Sequence, residues 1–189
     1  MYGTAGPIDL GFEFSFFRSP MRYAWIGTDG AIGLSSDTNN IINLVRGFSG
    51  EWTIPGEQSV PYGVPRNFVS ALLYFFTLEK TPGNNDPHVS YLRDGKRFIV
   101  EWNRMVGFYF AAAGEFTGQL VLDAIDSSIT VLYKNINPPN FYTAFGLVGL
   151  EADTSRWFFL NQNGFPSSDR KSTRLNSSHI QKSRMPSSA

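Results

Sequence analysis

The chain of 189 residues contains no cysteine. That removes a disulfide framework, thiolate metal ligands and a cysteine nucleophile from consideration. It does not fix a compartment. Histidine is almost as scarce, with only His88 and His179. A catalytic triad or a transition-metal site of three or four ligands has little to draw on. There is no Gly-x-Ser-x-Gly motif and no glycine-rich phosphate loop, since "GTDGAIG" (Gly27 to Gly33) reads as a hairpin and not as a strand-to-helix turn. No apolar run approaches the ~20 residues of a membrane-spanning helix. The opening "MYGTAGPIDLGFEF" lacks a basic region followed by an apolar stretch, so no signal peptide is read there. Charged residues are only 17% of the chain.

Aromatic residues, by contrast, are 15%, with 17 Phe. An aromatic-rich, charge-poor chain of this length can bury the core of one domain, and not comfortably of two. Gly (18) and Pro (11) suit many turns. Period-two alternation places Leu10, Phe12, Phe14 and Phe16 on one strand face. It does the same for Phe98, Val100 and Trp102, with Ile99 and Glu101 opposite. "RYAWIGTDGAIGLSS" predicts a hairpin about Asp29-Gly30, and "HVSYLRDGKRFIVEW" another about Asp94-Gly95. "GQLVLDAIDSSITVLYK" turns at Asp126 to Ser128, and "TAFGLVGLEA" with "SRWFFLN" closes the set. Ser35 to Asn67 and Thr81 to Pro87 are irregular. "VSALLYFFTLE" has a composition open to helix or buried strand. The expected fold is all-β, an antiparallel, jelly-roll-like β-sandwich of consecutive hairpins spanning residues 1–166.

The zero net charge hides a split. Met1 to Ser168 carries 11 Lys and Arg against 15 Asp and Glu, a net of −4. Asp169 to Ala189 carries five against one, a net of +4. A basic end suggests nucleic acid or an anionic membrane, or simply a solvated tail. A third reading fits better: "DRKSTRLNSSH" (Asp169 to His179) resembles a translated short-read sequencing adapter without a mismatch. Ser183 to Ala189 resembles the adapter's downstream part, with Ile180 to Lys182 in the index position. Residues 169–189 are then expected to be an artefact, 167–189 a disordered and dispensable tail, and the gene a fragment ending near Ser168.

The order of strand motifs resembles the nidogen-like extracellular β-sandwich family, including its relatives in bacterial secreted and surface proteins. "LGFEFSFF" (Leu10 to Phe17) is similar to the family's opening strand, and "YAWIGTDGAIGLSS" (Tyr23 to Ser36) to its Asn-Gly hairpin. "GKRFIVEWNRM" followed by "FTGQLVLDAIDSSITVLYKNI" is similar to its paired central strands. The likeness covers Ile8 to Leu160. It departs where the family has an acidic pair, replaced here by Phe76 and Thr77, so a cation contact at that place has no carboxylate to rest on. The resemblance implies a non-catalytic adhesion or positioning module of a larger bacterial secreted or surface protein, located outside the cell. Its expected partners are a protein or glycan ligand on a surface or matrix and the other domains of a longer parent chain.

Candidate site residues are few. His88 with Asp86, "DTNN" (Asp37 to Asn40) and "GNNDP" (Gly83 to Pro87) read as ordinary turn polarity rather than metal ligands, and no cofactor is expected. Glu101 and Glu115 are a conceivable glycosidase pair, but Glu101 falls on an outer strand face. Ligand contact is expected from loop aromatics: Phe108, Tyr109 and Phe110 in "VGFYFAAAGEF", with Tyr109 pointing outward, and Trp52 in "GEWTIPG". These rings stack on a sugar or anchor a protein partner, or else fold back over the sandwich ends. A carbohydrate-binding accessory module of a secreted hydrolase is the alternative function. With an acidic body, nucleic-acid binding is disfavoured.

Overall fold

The computed structural model describes residues 3–39, 67–73, 76–78, 86–107, 115–136, 147–153, 156–161 and 172–176. Among them are twelve strands and no helix: β1 (Thr4–Phe16), β2 (Ser19–Gly27), β3 (Ala31–Ser35), β4 (Phe68–Leu73), β5 (Phe76–Thr77), β6 (His88–Asp94), β7 (Arg97–Gly107), β8 (Glu115–Asp123), β9 (Ser128–Ile136), β10 (Leu147–Asp153), β11 (Arg156–Asn161) and β12 (Ser172–Asn176). They form two antiparallel sheets. Sheet A runs β1-β2-β3-β4-β10-β11, and sheet B runs β12-β9-β8-β7-β5, with β6 also on β7. The expected hairpins are present, and the ambiguous "VSALLYFFTLE" is β4 and β5.

The two inner faces share one core. Leu10, Phe12, Phe14 and Phe16 meet Phe98, Val100, Trp102, Leu120, Leu122 and Ile129 there. Phe14 and Trp102 are fully buried, as their alternation requires. Among the described residues, side-chain hydrogen bonds cross between the sheets. The Trp102 indole Nε1 donates to the Gly27 carbonyl at 2.8 Å, and the Tyr133 hydroxyl to the Ala71 carbonyl at 2.7 Å. Each gives a polar tip on an apolar body the partner that burial demands. Phe76 is a core ring stacked on Phe116 at 5.0 Å.

The turns follow backbone chemistry. Gly30 (φ +84°) closes the β2–β3 turn, where its carbonyl accepts from Ala71 N–H at 3.0 Å. In the β6–β7 hairpin Asp94 pairs with Arg97, so the central residues are Gly95 and Lys96, one position beyond Asp94-Gly95. Asp123 pairs with Ser128, so the β8–β9 loop is Ala124 to Ser127 and begins earlier than Asp126. The Asp123 and Asp126 carboxylates there accept from the N–H groups of Ile125 and Ser128 at 3.0 Å each. The β1–β2 turn is made by Phe17 and Arg18, both at positive φ.

One expectation is corrected. Residues 172–176, read as part of a disordered tail, form β12 on the edge of β9, with Ser172 opposite Leu132 and Asn176 opposite Ser128. Polar, Ser-rich composition predicts no burial of its own. A sheet edge, however, offers backbone N–H and C=O groups that any extended segment can pair with.

Candidate functional site: the bulge at the end of sheet B

The alternation of β7 runs through Phe98, Val100 and Trp102, and then slips. The next inward residue is Met105, three positions on instead of two, and it is fully buried. The register explains the slip. Trp102 pairs with Gly118 and Met105 with Phe116, so Asn103 and Arg104 together oppose Thr117 alone. This is a β-bulge, a device that re-aims side chains and bends the strand. Arg104 takes φ +51°, a conformation that non-glycine residues seldom adopt.

Contacts to Thr117 and Glu115 hold Arg104 there. Its N–H donates to Thr117 Oγ1 at 3.0 Å. Its Nε and Nη2 donate to the two carboxylate oxygens of Glu115 at 3.2 and 3.0 Å. A bidentate fork of this kind fixes both side chains more tightly than a single contact. The Glu115 carboxylate raises the Arg104 pKa above its ordinary value, chiefly through that hydrogen bond, with Asp86 adding attraction. The guanidinium and carboxylate are each about one-third exposed, so the pair meets solvent.

Neighbouring polar groups extend the cluster. His88 pairs with Asn103 across β6 and β7. Its Nδ1 lies 3.3 Å from Asp86 Oδ2 and 3.1 Å from the Asp86 carbonyl oxygen. Asp86, His88, Asn103, Arg104 and Glu115 therefore line one end of sheet B, the end at which β7 stops and β8 begins.

Glu101 lies on the outer face and accepts a hydrogen bond from Gln119 Nε2. Glu115 is engaged by Arg104. The two carboxylates thus have separate partners. Among the described residues no group of three or more His, Asp or Glu could hold a metal ion, and no helix is long and apolar enough to cross a membrane. The sequence-predicted contacts Trp52, Phe108, Tyr109 and Phe110 lie outside the described residues, as do Asn40 and Gly83 to Asn85. Sequence reading missed Arg104 and Asn103. Their signal was the apolar spacing that changes from two to three between Trp102 and Met105. The chain matches no family model, no curated protein and no solved structure.

Proposed function

We propose that this chain is a non-catalytic adhesion or positioning module of a larger bacterial secreted or surface protein, contacting its ligand at the bulge end of sheet B. The observation that carries this reading is Arg104. A left-handed conformation costs a non-glycine residue roughly 1–2 kcal/mol. Such strain persists where surroundings over-determine it, and it gathers at ligand clamps. Here the surroundings are Thr117 and Glu115. Together they hold the Arg104 guanidinium against the Glu115 carboxylate at a partly exposed rim. In the sequence the aromatic run Phe108-Tyr109-Phe110 follows Arg104 after Met105, Val106 and Gly107. The resemblance to nidogen-like domains supports the extracellular setting.

The same cluster favours a second reading, a carbohydrate-binding accessory module of a secreted hydrolase. Sugar hydroxyls both donate and accept, so a carboxylate, a guanidinium and the Asn103 amide held together suit them, with aromatic rings as stacking platforms. The full chain applied to a glycan array and to a panel of matrix proteins separates the two readings. Against whichever ligand is found, Tyr109→Ala is expected to weaken binding by about 1–3 kcal/mol, the range of an interface anchor. Glu115→Gln is expected to weaken it at least about tenfold, with the chain still folded. Folded variants that both bind as tightly as the native chain place the ligand elsewhere and refute the assignment.

A further inference from the structure

We propose that the outer edge of β9 is a strand-accepting site for an extended, basic polypeptide, occupied here by the chain's own β12 and open to the same kind of strand supplied in trans. Five consecutive residues pair, from Ser172 opposite Leu132 to Asn176 opposite Ser128, with no register shift. On its other side β9 is less regular, since its ladder with β8 shifts between Thr117 and Gly118.

The sequence of β9 explains the acceptance. Natural edge strands are blunted by lysine, proline, bulges or inward charges. Ser128 to Tyr133 reads Ser-Ile-Thr-Val-Leu-Tyr, with no charge, no glycine and no proline, and the first charge is Lys134. Ile129 and Val131 are anchored in the core, so the edge is held straight and in place. Among the described residues β12 covers only Ser128 to Leu132, and β9 continues beyond it to Ile136. Backbone pairing supplies affinity in strand addition, and it asks little of the added sequence. Under the adapter reading of the tail, β12 was never selected to fit β9, and the receptivity belongs to the edge itself.

Charge selects the occupant. Met1 to Ser168 carries a net of −4; β12 itself carries Arg174, with Arg170 and Lys171 just before it in the sequence, within a 169–189 stretch of net +4. A basic strand is therefore steered to this edge, and an acidic one is repelled. This site is separate from the bulge cluster, so either assignment can fail without the other.

The test uses the full chain with Thr173→Pro and Arg174→Pro together. Alternate residues of an edge strand point their N–H groups at the partner, so one of two successive prolines must remove a donor and release β12. A synthetic peptide of residues 169–180 is then added and backbone amide signals are followed. The expected result is binding to the folded variant, with shifts centred on residues 128–132. Binding to the native chain should be at least about tenfold weaker, because the tethered strand competes at high effective concentration. A peptide with Glu at its Arg and Lys positions should also bind at least about tenfold more weakly. No binding to the folded variant at millimolar peptide, equal binding of the Glu peptide, or equal binding to the native chain overturns the proposal. If the double variant does not fold, hydrogen exchange on the native chain decides. Residues 172–176 exchanging far faster than β7 supports an exchangeable strand, and exchange at the rate of β7 makes β12 integral to the fold and overturns it.

Discussion

Two cross-strand rows compare the sheets most directly. In sheet A the outer-face row runs Trp25, Gly33, Phe68 and Glu151, and every one of these residues is buried. In sheet B the corresponding outer row runs Leu92, Ile99, Val121 and Thr130. Leu92 there is 59% exposed, and the other three are half-buried. Along this row sheet A is thus closed on both faces, although Glu13 on β1 and Arg22 on β2 are exposed, whereas sheet B is closed on one. A sheet buried twice is a support, because a change on either face disturbs packing. A sheet with one open face can carry recognition, and the strained Arg104 is on sheet B.

The largest expected effect tests the interior that both sheets share. Phe14→Ala should destabilise the fold by about 3–5 kcal/mol in denaturant unfolding, as for a fully buried aromatic. A much smaller loss would mean that the sheets do not meet at this ring.

The two glycine turns sharpen the comparison. A Cβ on Gly30, in sheet A, would lie 2.1 Å from the Leu72 carbonyl oxygen, with φ at +84°. Gly30→Ala should therefore cost about 2–5 kcal/mol, combining backbone strain with overpacking. A Cβ on Gly95, in sheet B, would meet nothing within 4 Å. Only its positive φ resists, so Gly95→Ala should cost about 1 kcal/mol. Equal melting temperatures for the two variants would erase the distinction between a packed turn and an open one.

Tyr133 tests how the sheets are joined. Tyr133→Phe removes the bond to the Ala71 carbonyl and should cost about 1–2 kcal/mol at neutral pH. Burial raises the phenol pKa above its ordinary 10.0. Folding therefore favours the neutral form, and this contribution is complete below pH 10.0 and is lost as pH rises through the folded value. The variant should show a shallower alkaline loss of stability than the native chain. Parallel pH profiles would contradict the buried phenol.

The smallest effect has the opposite sign. Arg18 is exposed and sits at φ +67° in the β1–β2 turn. Arg18→Gly relieves that strain while loosening the unfolded chain, for a net gain of up to about 1 kcal/mol. A clear loss of thermal stability would show that Arg18 makes contacts that outweigh its backbone.

The same contrast explains what could be read from the sequence. On β1 and β7 one face is apolar and the other polar, so alternation showed both the strand and its inward side. On β3 all five residues are buried, and Ala31, Gly33 and Ser35 carry no pattern that separates two covered faces. The Asp29-Gly30 hairpin was legible because glycine is the usual solution for positive φ. The turn at Phe17 and Arg18 was not, because it uses that conformation without glycine or asparagine. There Phe17 is buried and packs edge-on against Phe16 at 4.9 Å, so tertiary packing overrides local preference. The Arg104–Glu115 pair depends on a one-residue slip, which composition does not reveal. For β12 the sequence reported only the segment's polarity, while the edge it joined lay about forty residues earlier in the chain.

The most direct measurement of the two-sheet account is denaturant unfolding of Phe68→Ala beside Ile99→Ala. Both residues project from the outer face of an interior strand. Phe68, closed in on sheet A, should lose about 3–5 kcal/mol. Ile99, half-open on sheet B, should lose about 1 kcal/mol or less. Equal losses, or a larger loss at Ile99, would contradict the division into a support sheet and an open sheet.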